Sequence, residues 1–226
     1  MTGHGPAVAG GDRKAFRAVV MAAWAGILLG LFIQIVTLGG RSAIGAIPAA
    51  LPFLSAVAGS VAWSAIVCCG LAIGITVENY RPQITGLLGL IAAPAAWAAA
   101  KGAQRAVQTI GGAPVDAITA TVLQVGAVKA IEYGLLGYVL GRLAARPRAG
   151  LGLHTALGFG FGVVFGAMIV GLNVVHANGP VPPAQMLGLV ITEIIFPVGC
   201  AAVTYGAGRL AGAVGFPGPV SPAQPV

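Results

Sequence analysis

The stretch Leu151–Val175, LGLHTALGFGFGVVFGAMIVGLNVV, contains no aspartate, glutamate, lysine or arginine along its whole length. A helix rises about 1.5 Å per residue, so a run of this length can cross the ~30 Å hydrocarbon core of a bilayer. The rest of the chain agrees with it. Of 226 residues, 58% are apolar and 8% charged, against about 25% charged in an ordinary soluble domain. Mean hydropathy is +0.94. A soluble fold of this size would lack the polar groups needed to cover its own surface. Disorder is excluded too, because disordered chains are charged rather than apolar. The composition therefore predicts an all-α polytopic membrane protein.

Five further runs qualify as spans: Phe16–Leu38, Leu54–Val77, Ile84–Ala103, Ala117–Leu140 and Gln185–Leu210. Six transmembrane helices in a single transmembrane domain, residues 1–226, are expected. The first run is too long for a cleaved leader, and residues 1–11 and 216–226, rich in Gly and Pro, read as tails. Between the first two spans, Ser42–Leu51 is apolar with Pro48 inside it. It reads as an interfacial segment on the outer face or a re-entrant piece lining a pathway.

Basic residues place the chain in the membrane. With the N-terminus inside, Arg13, Lys14, Arg17, Arg81, Arg142, Arg146, Arg148 and Arg209 fall on the cytoplasmic side, and Arg41, Lys101 and Arg105 outside. The positive-inside bias then predicts both termini in the cytoplasm, in a membrane of the bacterial inner (plasma) type. The net charge of +7 is thus read as topology, and no nucleic-acid partner is expected.

The two halves of the chain are weakly alike. Gly86-Leu87-Leu88, Pro94 and Arg105 recur, at a nearly constant offset, as Gly188-Leu189-Val190, Pro197 and Arg209. Gly26 and Arg41 correspond in the same way to Gly126 and Arg142, and the second and fifth spans both end in a polar break before a proline. Units of about 16–110 and 116–214, each with an odd number of spans, would be inverted relative to one another. That is a plan of transporters and channels.

Three ionisable residues fall inside spans, where each costs at least ~2.5–3.5 kcal/mol on insertion scales. Lys129 and Glu132 are three residues apart on one helix face and able to pair. Glu193 has no cation near it in sequence. It also precedes Pro197 by four residues, so the proline leaves the Glu193 carbonyl without its helical donor, as Pro94 does for Leu90. Interrupted helices at matching places point to a central site. The expected solute or ion pathway therefore comprises Glu193, Lys129, Glu132, Pro197, Pro94 and Gln124, with Glu193 as the coupling or binding carboxylate. Gln124 is included because it shares a helix with the charged pair.

Gly158, Gly162 and Gly166 form a ridge with a four-residue repeat, suited either to packing within the bundle or to a homo-oligomer contact. Cys68, Cys69 and Cys200 all lie in apolar runs and read as small apolar residues. Neither a Walker A loop nor an HExxH or GxSxG motif is present, so the chain is expected not to be an enzyme. No metal or cofactor is expected. Paired intramembrane histidines for haem are lacking, which leaves His154 or His176 as a single pigment ligand for the structure to test. Transporter or channel is the first reading. A non-catalytic subunit that scaffolds or bridges other membrane subunits is the second.

Overall fold

In lipid every backbone N–H and C=O must be bonded within the protein, and an unbroken apolar run satisfies this by forming a helix. The computed structural model describes residues 7–77, 80–114, 119–146, 148–177 and 179–212. These form α1 (Ala7–Ala43), α2 (Ala50–Thr76), α3 (Arg81–Ile110), α4 (Ala120–Ala144), α5 (Leu151–Val175) and α6 (Pro183–Gly212). All six are long and apolar enough to cross a membrane, as in an integral membrane protein.

Most helices begin or end outside the apolar runs, because a helix continues into the interfacial zone until a specific residue stops it. α1 starts at Ala7, so residues 7–11 of the expected N-terminal tail are helical. Residues 1–6 and 213–226, which include the expected C-terminal tail, lie outside the described residues, as do Glu78, Asn79, Ala117 and Asn178.

The Ser42–Leu51 stretch is a short connection between two helices and forms no re-entrant piece. α1 runs on through Ala43, and the Arg41 carbonyl then accepts from the backbone N–H groups of Ile44 and Ala46. Gly45, at φ 72°, supplies the left-handed conformation that closes a helix end. Ala49 is extended, and α2 starts at Ala50 with Pro52 in its first turn, where a missing N–H costs nothing.

α2 occupies the centre of the bundle and packs against α1, α3, α4 and α6; among the described residues, α5 packs only against α4 and α6. Small residues set the closest approaches. Gly26 and Gly30 of α1 face the backbone of Ser60, Val61, Ser64 and Ala65 in α2. Ser64 Oγ donates to the Gly26 carbonyl at 2.6 Å, and Gln34 Nε2 to Ser60 Oγ at 3.0 Å. Between α3 and α4, Gly89 meets the Tyr133 carbonyl, Gly137 the Thr85 carbonyl and Gly141 the backbone of Arg81 and Pro82. The core joins α2, α3, α4 and α6 through Trp63, Val67, Leu71, Ala93, Tyr133, Leu136, Phe196 and Cys200.

Candidate functional site

Lys129 and Glu132 project from one face of α4 because they are one turn apart, and that face is turned toward α2 and α6. Glu193 comes from α6. The structure brings all three together. Lys129 Nζ lies 2.5 Å from Glu193 Oε2 and donates to it, and 3.7 Å from Glu132 Oε2. Relative exposures are 3% for Lys129, 0% for Glu132 and 4% for Glu193. The short pair is therefore the one across helices, between residues that have no sequence proximity. Spacing within α4 suggested Lys129 and Glu132 as the primary pair and left Glu193 without a cation; the packing of α4 on α6 reverses those roles. Glu132 is the carboxylate left over, with neither oxygen hydrogen-bonded among the described residues.

Aromatic rings wall the ammonium. Lys129 Nζ lies 5.1 Å from the Trp63 ring centre and 5.9 Å from that of Tyr133, within the range of cation–π attraction. Trp63 meets Tyr133, Trp97 and Phe196 edge-to-face at 5.4, 6.1 and 6.3 Å. Trp97 is fixed by its indole N–H, which donates to the Val122 carbonyl at 2.9 Å. The Tyr133 hydroxyl and the Trp63 indole nitrogen are buried with no hydrogen-bond partner among the described residues. Neither Trp63 nor Tyr133 stands out in the sequence from the other residues of its span. An aromatic in an apolar run carries no mark of what it will face.

The structure brings Pro197 next to the charged cluster and leaves Pro94 apart from it. Pro197 is buried, four residues beyond Glu193. The α5 ridge lies directly on this turn: a Cβ on Gly158 would sit 2.5 Å from the Pro197 carbonyl oxygen, one on Gly162 2.9 Å from the Glu193 carbonyl oxygen, and one on Gly166 3.0 Å from Glu193 Cβ. The glycines thus pack within the bundle, and Gly162 lies against the carbonyl that Pro197 leaves without a donor. Pro94 stands on an exposed face of α3, and α3 makes no contact with α6 among the described residues. Gln124 is likewise exposed, on a different face of α4 from Lys129.

Below the cluster, Cys68 of α2 and Cys200 of α6 are buried with their sulfurs 3.7 Å apart. This meeting across the bundle is invisible in the linear spacing. His154 is buried, its Nδ1 2.9 Å from the Gly150 carbonyl oxygen and its ring 5.0 Å from that of Tyr205. Its ring is taken up by protein rather than turned toward lipid, whereas His176 is exposed at the end of α5. Groups of three or more His, Cys, Asp or Glu side chains able to hold a metal are absent among the described residues. Comparison with known protein families, characterised proteins and solved structures finds no match.

Proposed function

We propose that the protein is an integral membrane transporter or channel for a small solute or ion, with Lys129, Glu193 and Glu132 as its binding or coupling site. The observation that carries this reading is the surplus carboxylate. A buried ion pair that serves only to join two helices is best neutral and fully hydrogen-bonded. Here Lys129 and Glu193 already make such a pair, and a second carboxylate is buried against them without a donor. Intramembrane ionisable groups beyond structural need mark ion and proton pathways.

The two-unit plan belongs to this proposal: residues 16–110 and 116–214 in opposite orientations, in a bacterial inner membrane, with both termini cytoplasmic. The sequence offsets and the odd number of spans per unit support it. The units are packed unequally, since α2 is central and α5 peripheral. The pathway accordingly runs between α2, α4 and α6, and not between Pro94 and Pro197.

A second reading, a scaffold subunit in a larger membrane assembly or a homo-oligomer, is favoured by the closure of the cluster, whose three side chains are almost wholly buried. The two readings separate on access. Cys200 lies two turns from Glu193 on the same face of α6. In a Cys69→Ala background, transport requires that Cys68 or Cys200 react with a water-soluble methanethiosulfonate applied to either face of sealed vesicles. Protection from both faces sinks the transport reading. If transport holds, Glu193→Gln abolishes coupling and leaves the fold intact.

A further inference from the structure

We infer that the site takes one monovalent organic cation, a short alkylammonium, beside Glu132 in exchange for one proton. The inference rests on the transport reading and names the class of its substrate. With both carboxylates ionised, Lys129, Glu132 and Glu193 sum to one negative charge. An unbalanced charge in a buried, low-dielectric site is strongly disfavoured. A single proton on the carboxylate pair neutralises the cluster, and so does a single monovalent cation. The two occupants are therefore alternatives at one place. When the cation enters, one proton leaves, and the site is neutral before and after.

Glu132 is that place, since Glu193 already accepts from Lys129 while Glu132 is wholly buried, aimed at the cluster and without a donor. An ammonium supplies the N–H donors that Glu132 lacks. An anion would be neutralised only with both carboxylates protonated, whereas a cation is matched by the charge the two ionised carboxylates already leave over. A hard metal ion is a poor fit, because it needs about six or more oxygen ligands, while the rings of Trp63 and Tyr133 face the ammonium of the cluster. Aromatic faces favour organic ammonium groups. Lys129 itself shows the chemistry favoured here, an alkylammonium whose Nζ lies 5.1 Å from the Trp63 ring centre and within 4 Å of both carboxylates.

Ethylammonium chloride, titrated calorimetrically into the full chain in nanodiscs, tests this. Run in two buffers of different ionisation heat, the titration is expected to release about one proton per cation bound, and affinity to fall about tenfold per pH unit as protons compete. Glu132→Gln is expected to weaken binding by more than tenfold, and Glu132→Asp to restore much of it. Binding that releases no proton, or is unchanged in Glu132→Gln, overturns the inference, as does the absence of binding to the wild-type chain. Should Glu132→Gln fail to fold, proton release from the wild type decides alone. Cysteines reactive from both faces without ethylammonium binding would leave transport standing and remove this substrate class. Binding with cysteines protected from both faces would remove transport alone.

Discussion

Pro94 in α3 and Pro197 in α6 each take one backbone donor out of a spanning helix, and each follows a similar glycine-leucine start. Their surroundings are opposite. Pro94 is exposed on the outer face of α3. Pro197 is buried beneath three glycines of α5 and one turn from Glu193. A helix break is thus a local property of sequence, whereas its use is decided by the helix laid against it. Where α5 has glycines, backbone reaches backbone and the freed carbonyl is covered. Near Pro94, Gly134 of α4 approaches the side chain and Cα of Leu90 instead, and a Cβ on Gly134 would sit 3.2 Å from Leu90 Cβ.

The comparison is tested most severely at the charges. Lys129→Ala should destabilise the protein by about 3–5 kcal/mol, because it leaves two buried carboxylates without a cation. Lys101, on the same helix as Pro94, lies 4.9 Å from the Trp97 ring and donates to Gln104 Oε1. Being partly exposed, it should cost no more than about 1 kcal/mol when changed to Ala. Reversible unfolding in mixed micelles measures both. Equal losses would mean that the two regions do not differ as described.

A smaller effect is expected from the ridge. Gly158→Ala places a methyl group 2.5 Å from the Pro197 carbonyl oxygen, and overpacking of this kind costs about 1–3 kcal/mol. Gly102→Ala, in α3, meets nothing within 4 Å and should gain up to about 1 kcal/mol from helix propensity. The same unfolding assay should show the two changes with opposite sign. If Gly158→Ala is silent, α5 does not sit on the Pro197 turn.

The prolines themselves come next. Pro94→Ala restores an N–H opposite the Leu90 carbonyl on an exposed face, and should stabilise by about 1 kcal/mol, the net worth of one hydrogen bond. Pro197→Ala restores a bond at a carbonyl already covered by Gly162, while losing a buried ring. It should give no comparable gain. Stabilisation of both by the same amount would erase the distinction between them.

How far the sequence discloses this arrangement depends on the range of the physics involved. Six spans are legible because lipid acts on each run separately, and Lys129, Glu132 and Glu193 stand out because each is costly wherever it lies in the membrane. The pairing between them is not legible. Lys129 and Glu132 share a turn, yet the 2.5 Å contact goes to Glu193, 64 residues away, because the packing of α4 on α6 sets it. Trp63 and the Cys68–Cys200 contact are hidden for the same reason. Pro94 was legible as a break and misleading as a site, since exposure depends on rotation about the α3 axis. The ends of the helices fall between: Gly45 and Pro52 are visible punctuation, but that α1 runs on through Ala43 is not legible from hydropathy.

The uncharged α1–α2 interface gives the smallest and most discriminating comparison with the charged one. Ser64 Oγ donates across helices to the Gly26 carbonyl at 2.6 Å and also approaches the Ser60 carbonyl of its own helix at 2.8 Å. Interhelical hydrogen bonds within membranes average about 0.6 kcal/mol and reach about 1.7. Ser64→Ala should fall in that range and near its lower end, since the Gly26 carbonyl keeps its place in the α1 ladder. Thr204 is the reference, because its hydroxyl donates only within α6, to the Cys200 carbonyl. Thr204→Ala should therefore cost no cross-helix bond, though it removes a methyl group. A double-mutant cycle of Ser64→Ala with Gly26→Ala would separate the bond from the close approach that Gly26 permits. If Ser64→Ala instead matches Lys129→Ala, the neutral α1–α2 contact carries as much structural weight as the buried charges, and the contrast between the two interfaces fails.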